Sequence, residues 1–210
     1  MTDWATISSL ATAGGTLVLA VATFASVHSA NRSARLAEAT LLASVRPLLM
    51  PSRPDDPDLK VGFADNHWVH VAGSCGTVEI TDEAVYLTMS LRNAGAGLAV
   101  LHGWRVEGGH DSSRDSRPSV DGFRRLSRDL YIPAGDVYFW QGAIREAGDP
   151  DRDLLTRIAS SGERLIVDVL YSDQHGGQRA VSRFSLAPRK DGAYLVSSVR
   201  QWNIDRPDPR

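Results

Sequence analysis

Cysteine, lysine and catalytic motifs are all scarce in this chain of 210 residues. The single cysteine, Cys75, excludes a disulfide within the chain and is compatible with a reducing compartment. Lysine occurs at two positions only, and a formal net charge of −2 gives no overall attraction to a polyanion. We therefore expect no nucleic-acid partner.

Motifs that hold cofactors or perform catalysis are missing as well. The sequence has no P-loop, no G-x-S-x-G turn, and no G-x-G-x-x-G that follows a predicted strand. The six histidines lie mostly in separate segments, and His67 and His70 point to opposite faces if "HWVH" is a strand. Since a zinc site needs three or four convergent ligands, we predict no metal, no cofactor and no catalytic residue. An enzyme or small-ligand-binding protein stays open as the alternative, with a site assembled from loop residues: His102, His110, His175 and Asp173.

Charge is absent from the 28 residues between Asp3 and Arg32. A helix over the 24 residues from Trp4 to Val27 would measure about 36 Å, which is enough to cross about 30 Å of hydrocarbon. Its apolar residues point in all directions around the helix axis, as in a membrane span. We predict a transmembrane helix at 1–28, anchored by Trp4, Leu10, Leu17, Leu19, Phe24 and Val27. A cleaved secretory signal is the alternative, although its acidic start, Met-Thr-Asp, is atypical.

Charges beside the span predict its orientation. Asp3 precedes the span, whereas Arg32 and Arg35 follow it, and arginine close to a span favours the cytosol. We therefore expect a single-pass protein of the cytoplasmic (inner) membrane, with its amino terminus outside and its C-terminal domain in the cytosol. Ala11 and Gly15 are small residues four apart, a spacing that permits close helix packing and a homo-oligomer within the lipid bilayer.

The helix should continue beyond the membrane. Residues 29–46 contain no helix breaker, and Pro47 disfavours a helical conformation at Arg46, so a helical stalk is predicted there. A β-rich domain is expected at 47–204 and a disordered tail at 205–210.

Alternating hydrophobicity dominates residues 47–204. "AVYLTMSLRN" has the pattern of a half-buried strand, whereas "RLIVDVLYSD" is apolar on both faces and predicts a central strand. Six further strands are predicted at "HWVHV", "TVEIT", "LAVLHGWRV", "DVYFWQGAI", "RAVSRFSL" and "AYLVSSV". Short strands joined by turns predict a mainly β fold, an antiparallel β-sandwich with a barrel as the alternative. One helix is expected at "PDRDLLTRIASSG", begun by Asp149 and ended by Gly162.

Residues 107–128 combine glycine, serine and charge, and predict a long surface loop. Its arginines could contact anionic lipid or a protein partner, and we single out Arg124, Arg125 and Arg128. Interleaved aspartates favour the alternative that the loop neutralises itself.

The span followed by "ANRSARLAE", "RPLL", "LRNAGAGLAVLHGW" and "VLYSDQHGGQRAVSRFSL" resembles uncharacterised small bacterial membrane-anchored proteins. This resemblance implies an immunoglobulin-like β-sandwich, in which Asn93, Gly95 and Gly97 would form a turn that requires positive φ. It implies no activity. With the missing chemistry, it predicts a membrane-tethered cytosolic domain that acts as a noncatalytic interaction or scaffold module for an unknown protein partner.

Overall fold

The fold is described from a computed structural model over residues 3–108 and 116–208. The chain divides between Ser44 and Val45 into two compact units, an N-terminal helix and a β-rich body.

A helix of 41 residues, α1 (Trp4–Ser44), makes up the first unit. It is about 60 Å long at 1.5 Å per residue, and it ends three residues before Pro47 as the sequence predicts. The anchor residues are more than half exposed, from Val27 at 54% to Trp4 at 78%. An 18-residue window of the helix has a mean hydropathy of 1.8, so the helix is long and apolar enough to cross a membrane.

The body contains eleven strands and a second helix, which lies between the eighth and ninth strands. In chain order these elements are β1 (Leu49–Pro51), β2 (Leu59–Gly62), β3 (Trp68–Val71), β4 (Cys75–Ile80), β5 (Val85–Asn93), β6 (Ala99–Gly108), β7 (Arg124–Ile132), β8 (Val137–Ile144), α2 (Pro150–Ser161), β9 (Leu165–Ser172), β10 (Ala180–Pro188) and β11 (Tyr194–Asn203). The eight predicted strands and the predicted helix are all present, and β1, β2 and β7 are additional. The chain is therefore mainly β after a long N-terminal helix.

Nine strands of the described residues form one continuous sheet in the order β1-β5-β4-β11-β10-β9-β6-β7, and β8 also pairs with β5. All pairs are antiparallel, and β2 and β3 form a separate hairpin. The link between β4 and β11 is narrow, with only Gly76 and Cys75 paired to Tyr194 and Leu195. The sheet curls into a half-barrel around its apolar inner face.

Two tryptophans join the curled halves of this sheet. Trp104 on β6 packs edge-on against Trp140 on β8, with ring centroids 5.4 Å apart, and both are buried. Gly142 provides room, because a Cβ there would lie 2.8 Å from the Trp104 ring. Leu155 and Ile158 of α2 are buried in the same core.

The capping signals of α2 are confirmed. Asp149 accepts a hydrogen bond from the Asp151 N–H at 3.0 Å, and Gly162 ends the helix in the left-handed conformation with φ of 69°.

The prediction that β5 is half buried is wrong, because both of its faces are covered. Tyr86, Thr88 and Ser90, expected toward solvent, are all at most 4% exposed. Segments that precede β4 satisfy two of these hydroxyls: Asp65 accepts from Tyr86 at 2.7 Å, and Ser52 lies 2.7 Å from Ser90. The prediction that β9 is central is confirmed, since β9 pairs on both sides and all eight of its residues are buried.

The predicted loop at 107–128 is wrong at both ends. Strand β6 continues to Gly108, and β7 begins at Arg124. The β7 sequence "RRLSRDLYI" shows no regular alternation of apolar and polar residues, because a wide irregularity interrupts the pairing of β7 with β6.

Gly95 and Gly97 do not have the positive φ that the resemblance implies. They are needed because another segment passes close to the backbone. A Cβ at Gly97 would lie 1.6 Å from the carbonyl oxygen of Val45, and one at Gly95 would lie 2.3 Å from that of Arg46. Gly176 in the "YSDQHGG" hairpin does have positive φ, at 72°.

Candidate functional site

The surface of α1 carries the residues predicted for the anchor and for helix packing. Ala11 and Gly15 are exposed, and a Cβ at Gly15 would meet no other atom within 4 Å. The hydroxyls of Thr12 and Thr16 donate to carbonyls four residues earlier, at 2.9 Å each. These polar groups are thus satisfied inside the helix, as lipid requires. Arg32 and Arg35 are exposed on the same helix.

Arg124 already has partners within the domain. Its guanidinium makes two parallel hydrogen bonds to the Asp149 carboxylate, at 2.6 and 2.7 Å, and donates to Asp151 at 2.9 Å. It also lies over the Trp104 ring, 5.8 Å from the centroid. This arginine joins the start of β7 to the first turn of α2.

The other two arginines predicted for partner contact differ from Arg124. Arg128 is exposed, donates to the Gln141 side chain of β8 at 3.0 Å and lies over Phe139. Arg125 is exposed and faces a cleft beside β6.

An unexpected charged network lies on the outer face of the sheet. Arg105, Asp168, Arg183 and Arg200 occupy one row across four strands, because the strand registers place them opposite one another. Asp168 accepts two hydrogen bonds from Arg183, at 2.7 and 2.8 Å, and one from Arg105 at 2.9 Å. Glu107 contacts both Arg105 and Arg183. The hydrogen bond to Asp168 raises the pKa of Arg183 despite its burial.

A small apolar cluster covers this network. Trp202 packs with Leu170 and Val181, and its ring lies 5.1 Å from the Arg183 guanidinium. Val120, Phe123 and Ile204 pack against the cluster. This network was not predicted, although the sequence contains a signal for it: charged residues on strands that are apolar on both faces need a partner of opposite charge.

The predicted loop site is only partly assembled. His102 Nε2 lies 2.7 Å from Ser172 Oγ, and Ser172 donates to the Asp173 carbonyl at 2.7 Å. The Asp173 carboxylate is occupied by its own hairpin, where it accepts from the backbone N–H groups of His175 and Gly177 and from Gln178. The His175 ring lies beside Gln174 instead. His110 falls outside the described residues.

This arrangement does not resemble a nucleophilic centre. Ser172 is 1% exposed and its hydroxyl proton is directed to a carbonyl, so it is not available to a substrate. Burial lowers the pKa of His102, and the nearby Arg179 lowers it further, so the imidazole is neutral at pH 7.

No group of three histidine, cysteine, aspartate or glutamate residues is placed to hold a metal within 3–108 and 116–208. His67 pairs with Glu79 at 2.8 Å, and His70 is exposed. Cys75 resembles an exposed turn in sequence but is 4% exposed, with Arg189 Nη1 at 3.4 Å from its sulfur.

Comparison with known proteins gives no further assignment, since neither a protein-family model nor a curated protein matches the chain.

Proposed function

We propose that this protein is a single-pass membrane protein whose β domain acts as a noncatalytic interaction module in the cytosol. The observation that carries the proposal is α1, whose apolar side chains are exposed on all sides while the body has a complete core of its own. A lipid bilayer is the partner that would cover such a helix at low cost.

Arg32 and Arg35 support an orientation with the amino terminus outside the cytoplasmic membrane, because basic residues beside a span are retained in the cytosol. For the body we infer an immunoglobulin-like sandwich. The narrow β4–β11 link and the packing of Trp104 on Trp140 support two facing halves.

The interaction surface that we propose extends along β7 to the start of β8. Arg125, Arg128, Tyr131 and Tyr138 are exposed on these two strands. Aromatic and arginine side chains are enriched at protein interfaces. The row of Ala11 and Gly15 would add a second contact, between the membrane-spanning helices of two copies of the chain. Such pairing would hold two β domains close together and so raise their local concentration.

A pair of engineered cysteines tests the anchor and its orientation. In a Cys75→Ala background, Asp3→Cys should react with a membrane-impermeant thiol reagent on intact cells, whereas Asp191→Cys should react only after lysis. Asp191 suits this purpose because its side chain is 55% exposed. Labelling of Asp191→Cys on intact cells would overturn the orientation, and recovery of the full chain in a carbonate-washed soluble fraction would overturn the anchor.

The interaction module is tested by cross-linking in native membranes. A photoreactive residue at Tyr138 should capture a reproducible protein, and Arg125→Ala with Arg128→Ala should weaken that capture. Placing the photoreactive residue at Asp191 provides the matched control. If the photoreactive residues at Tyr138 and Asp191 capture the same proteins, the capture is non-specific and the proposed surface is not an interface.

A further inference from the structure

Strand β6 contains one residue that pairs with neither of its neighbours. Leu101 lies opposite Tyr171 of β9, and Gly103 lies opposite Leu170, so His102 is an extra residue in the ladder. This bulge also explains the burial pattern of β6. The buried hydrophobic residues are odd-numbered before His102, at 99 and 101, and even-numbered after it, at 104 and 106.

The same position opens the pairing between β6 and β7. Leu101 pairs with Leu130, and the next pair is Gly103 with Arg125, so four residues of β7, 126–129, face His102 alone. The two strands separate there. Bulges of this kind redirect side chains and are enriched beside binding sites.

A cleft of about 500 Å³ lies at this opening. Its apolar wall is formed by Leu101, Phe123, Leu126 and Leu170. Its polar groups are His102, Asp121, Arg124, Arg125 and Asp129. The volume lies within the range of sites for small molecules. Nearly half of the lining residues carry a polar or charged side chain, so a ligand of this cleft would itself carry a polar or charged group.

The charges of the cleft favour a cation. Arg124 is neutralised by Asp149 and Asp151, which lie outside the cleft lining. Arg179, whose charge acts on His102, is likewise neutralised by its ion pair with Asp205. Asp121 and Asp129 have no ion pair within the described part of the chain, and Arg125 can balance only one of them. One carboxylate is therefore left over.

The hydrogen bonds of His102 add an acceptor. Ser172 donates its hydroxyl proton to the Asp173 carbonyl, so its oxygen accepts from Nε2–H of His102. The neutral ring then keeps a lone pair on Nδ1. The polar side of the cleft thus offers hydrogen-bond acceptors next to an unbalanced negative charge.

We propose that this cleft binds a small organic cation, a primary amine with a short apolar chain. Its ammonium group is held by Asp129 together with His102, and its alkyl chain lies against Phe123 and Leu126. The site goes beyond the interaction module, because it needs neither the membrane nor a protein partner.

Calorimetric titration of the full-length protein in nanodiscs tests the site, with n-butylammonium as the probe. Butyrate and n-butanol, which have the same chain length, are the matched controls for charge. We expect saturable binding of n-butylammonium that is at least about tenfold tighter than that of either control. Equal binding of butyrate, or no saturable binding of the amine, would overturn the proposal.

Substitutions locate the site on the protein. Asp129→Asn should weaken binding of n-butylammonium about tenfold or more, and Asp191→Asn, which removes an exposed carboxylate far along the chain, should leave it unchanged. The second variant, His102→Gln, should also weaken binding, because His102 is the other group proposed to hold the ammonium. Thermal unfolding of each variant shows whether the domain is folded. Unchanged affinity in a folded Asp129→Asn protein would contradict the proposed site, as would an equal loss in Asp191→Asn.

Discussion

Asp168 of β9 and Arg183 of β10 form a two-pronged ion pair in which each side chain is 1% exposed. The pair is extended by Arg105, about a quarter exposed, and by Glu107, so the buried charges connect to solvent through two partly exposed residues. Burying two charges costs several kcal/mol each, and the cost is offset only when nearly every hydrogen bond is made. The network therefore fixes the relative positions of β6, β9 and β10 more than it adds stability.

Asp168→Asn is expected to be severely destabilising. The substitution keeps the shape of the side chain but leaves Arg183 buried without its main counter-charge, which costs about 3 to 5 kcal/mol. Urea unfolding of the full-length protein in detergent micelles, followed by tryptophan fluorescence, measures the change in the free energy of unfolding. Asp191→Asn is the control, because its pairing with Arg189 is exposed and contributes about 0 to 1 kcal/mol. A loss at Asp168 no larger than that at Asp191 would contradict the structural role of the network.

Gly97→Ala should also be strongly destabilising, for a steric reason. Its Cβ would lie 1.6 Å from the Val45 carbonyl oxygen, so the backbone of one segment must move. We expect a loss of more than about 2 kcal/mol, in the range seen for overpacked sites. Gly177→Ala is matched to it, since a Cβ there meets nothing within 4 Å and φ is not positive. The same urea titration should show a change within about 0.5 kcal/mol for Gly177→Ala.

Gly95 and Gly97 illustrate which features of the fold can be predicted from the sequence and which cannot. The motif "LRNAGAG" predicts that glycine is needed at 95 and 97, but it predicts positive φ as the cause, and the structure does not show positive φ at either residue. The reason, a close approach of residues 45–48, depends on the tertiary structure. The half-exposed pattern of β5 misleads in the same way, because the hydroxyls of Tyr86 and Ser90 on its outer face bond to preceding segments of the chain rather than to water.

Other signals confined to a few neighbouring residues are confirmed by the structure. Asp149 and Gly162 bound α2, and Pro47 follows the end of α1. The cleft at His102 could not be predicted, because the bulge that opens it arises from the registers of three strands. The sequence suggests Arg124 as a contact for lipid or a protein partner, and it does not predict the ion pairs with Asp149 and Asp151, which lie 25 and 27 residues away in the chain.

The ion pair of Asp149 with Arg124 predicts a dependence of stability on pH. Burial opposes ionisation of Asp149, but the hydrogen bonds from Arg124 and from the Asp151 N–H outweigh it and lower the pKa below its usual 3.8. The unfolded chain therefore binds the proton more readily, so this stabilisation is complete above pH 3.8 and is lost as the pH falls through the folded pKa. Asp149→Asn, which can still cap α2, should cost about 1 to 3 kcal/mol at pH 6. In urea titrations the difference between the two proteins should shrink toward pH 3, and a constant difference would exclude the charge as its cause.

Gly15→Ile tests whether the spans pair through their small residues. An isoleucine at this position keeps the helix apolar but covers the row formed with Ala11, so two helices could no longer approach closely. We expect sedimentation in detergent to show a dimer for the native chain and a monomer for the variant. Gly14→Ile carries the same added volume about 100° around the helix, and a Cβ there also meets nothing within 4 Å, so it should leave the dimer intact. A native chain that sediments as a monomer, or a dimer that survives Gly15→Ile, would exclude this packing row, because the contact depends on backbone approach at that one position.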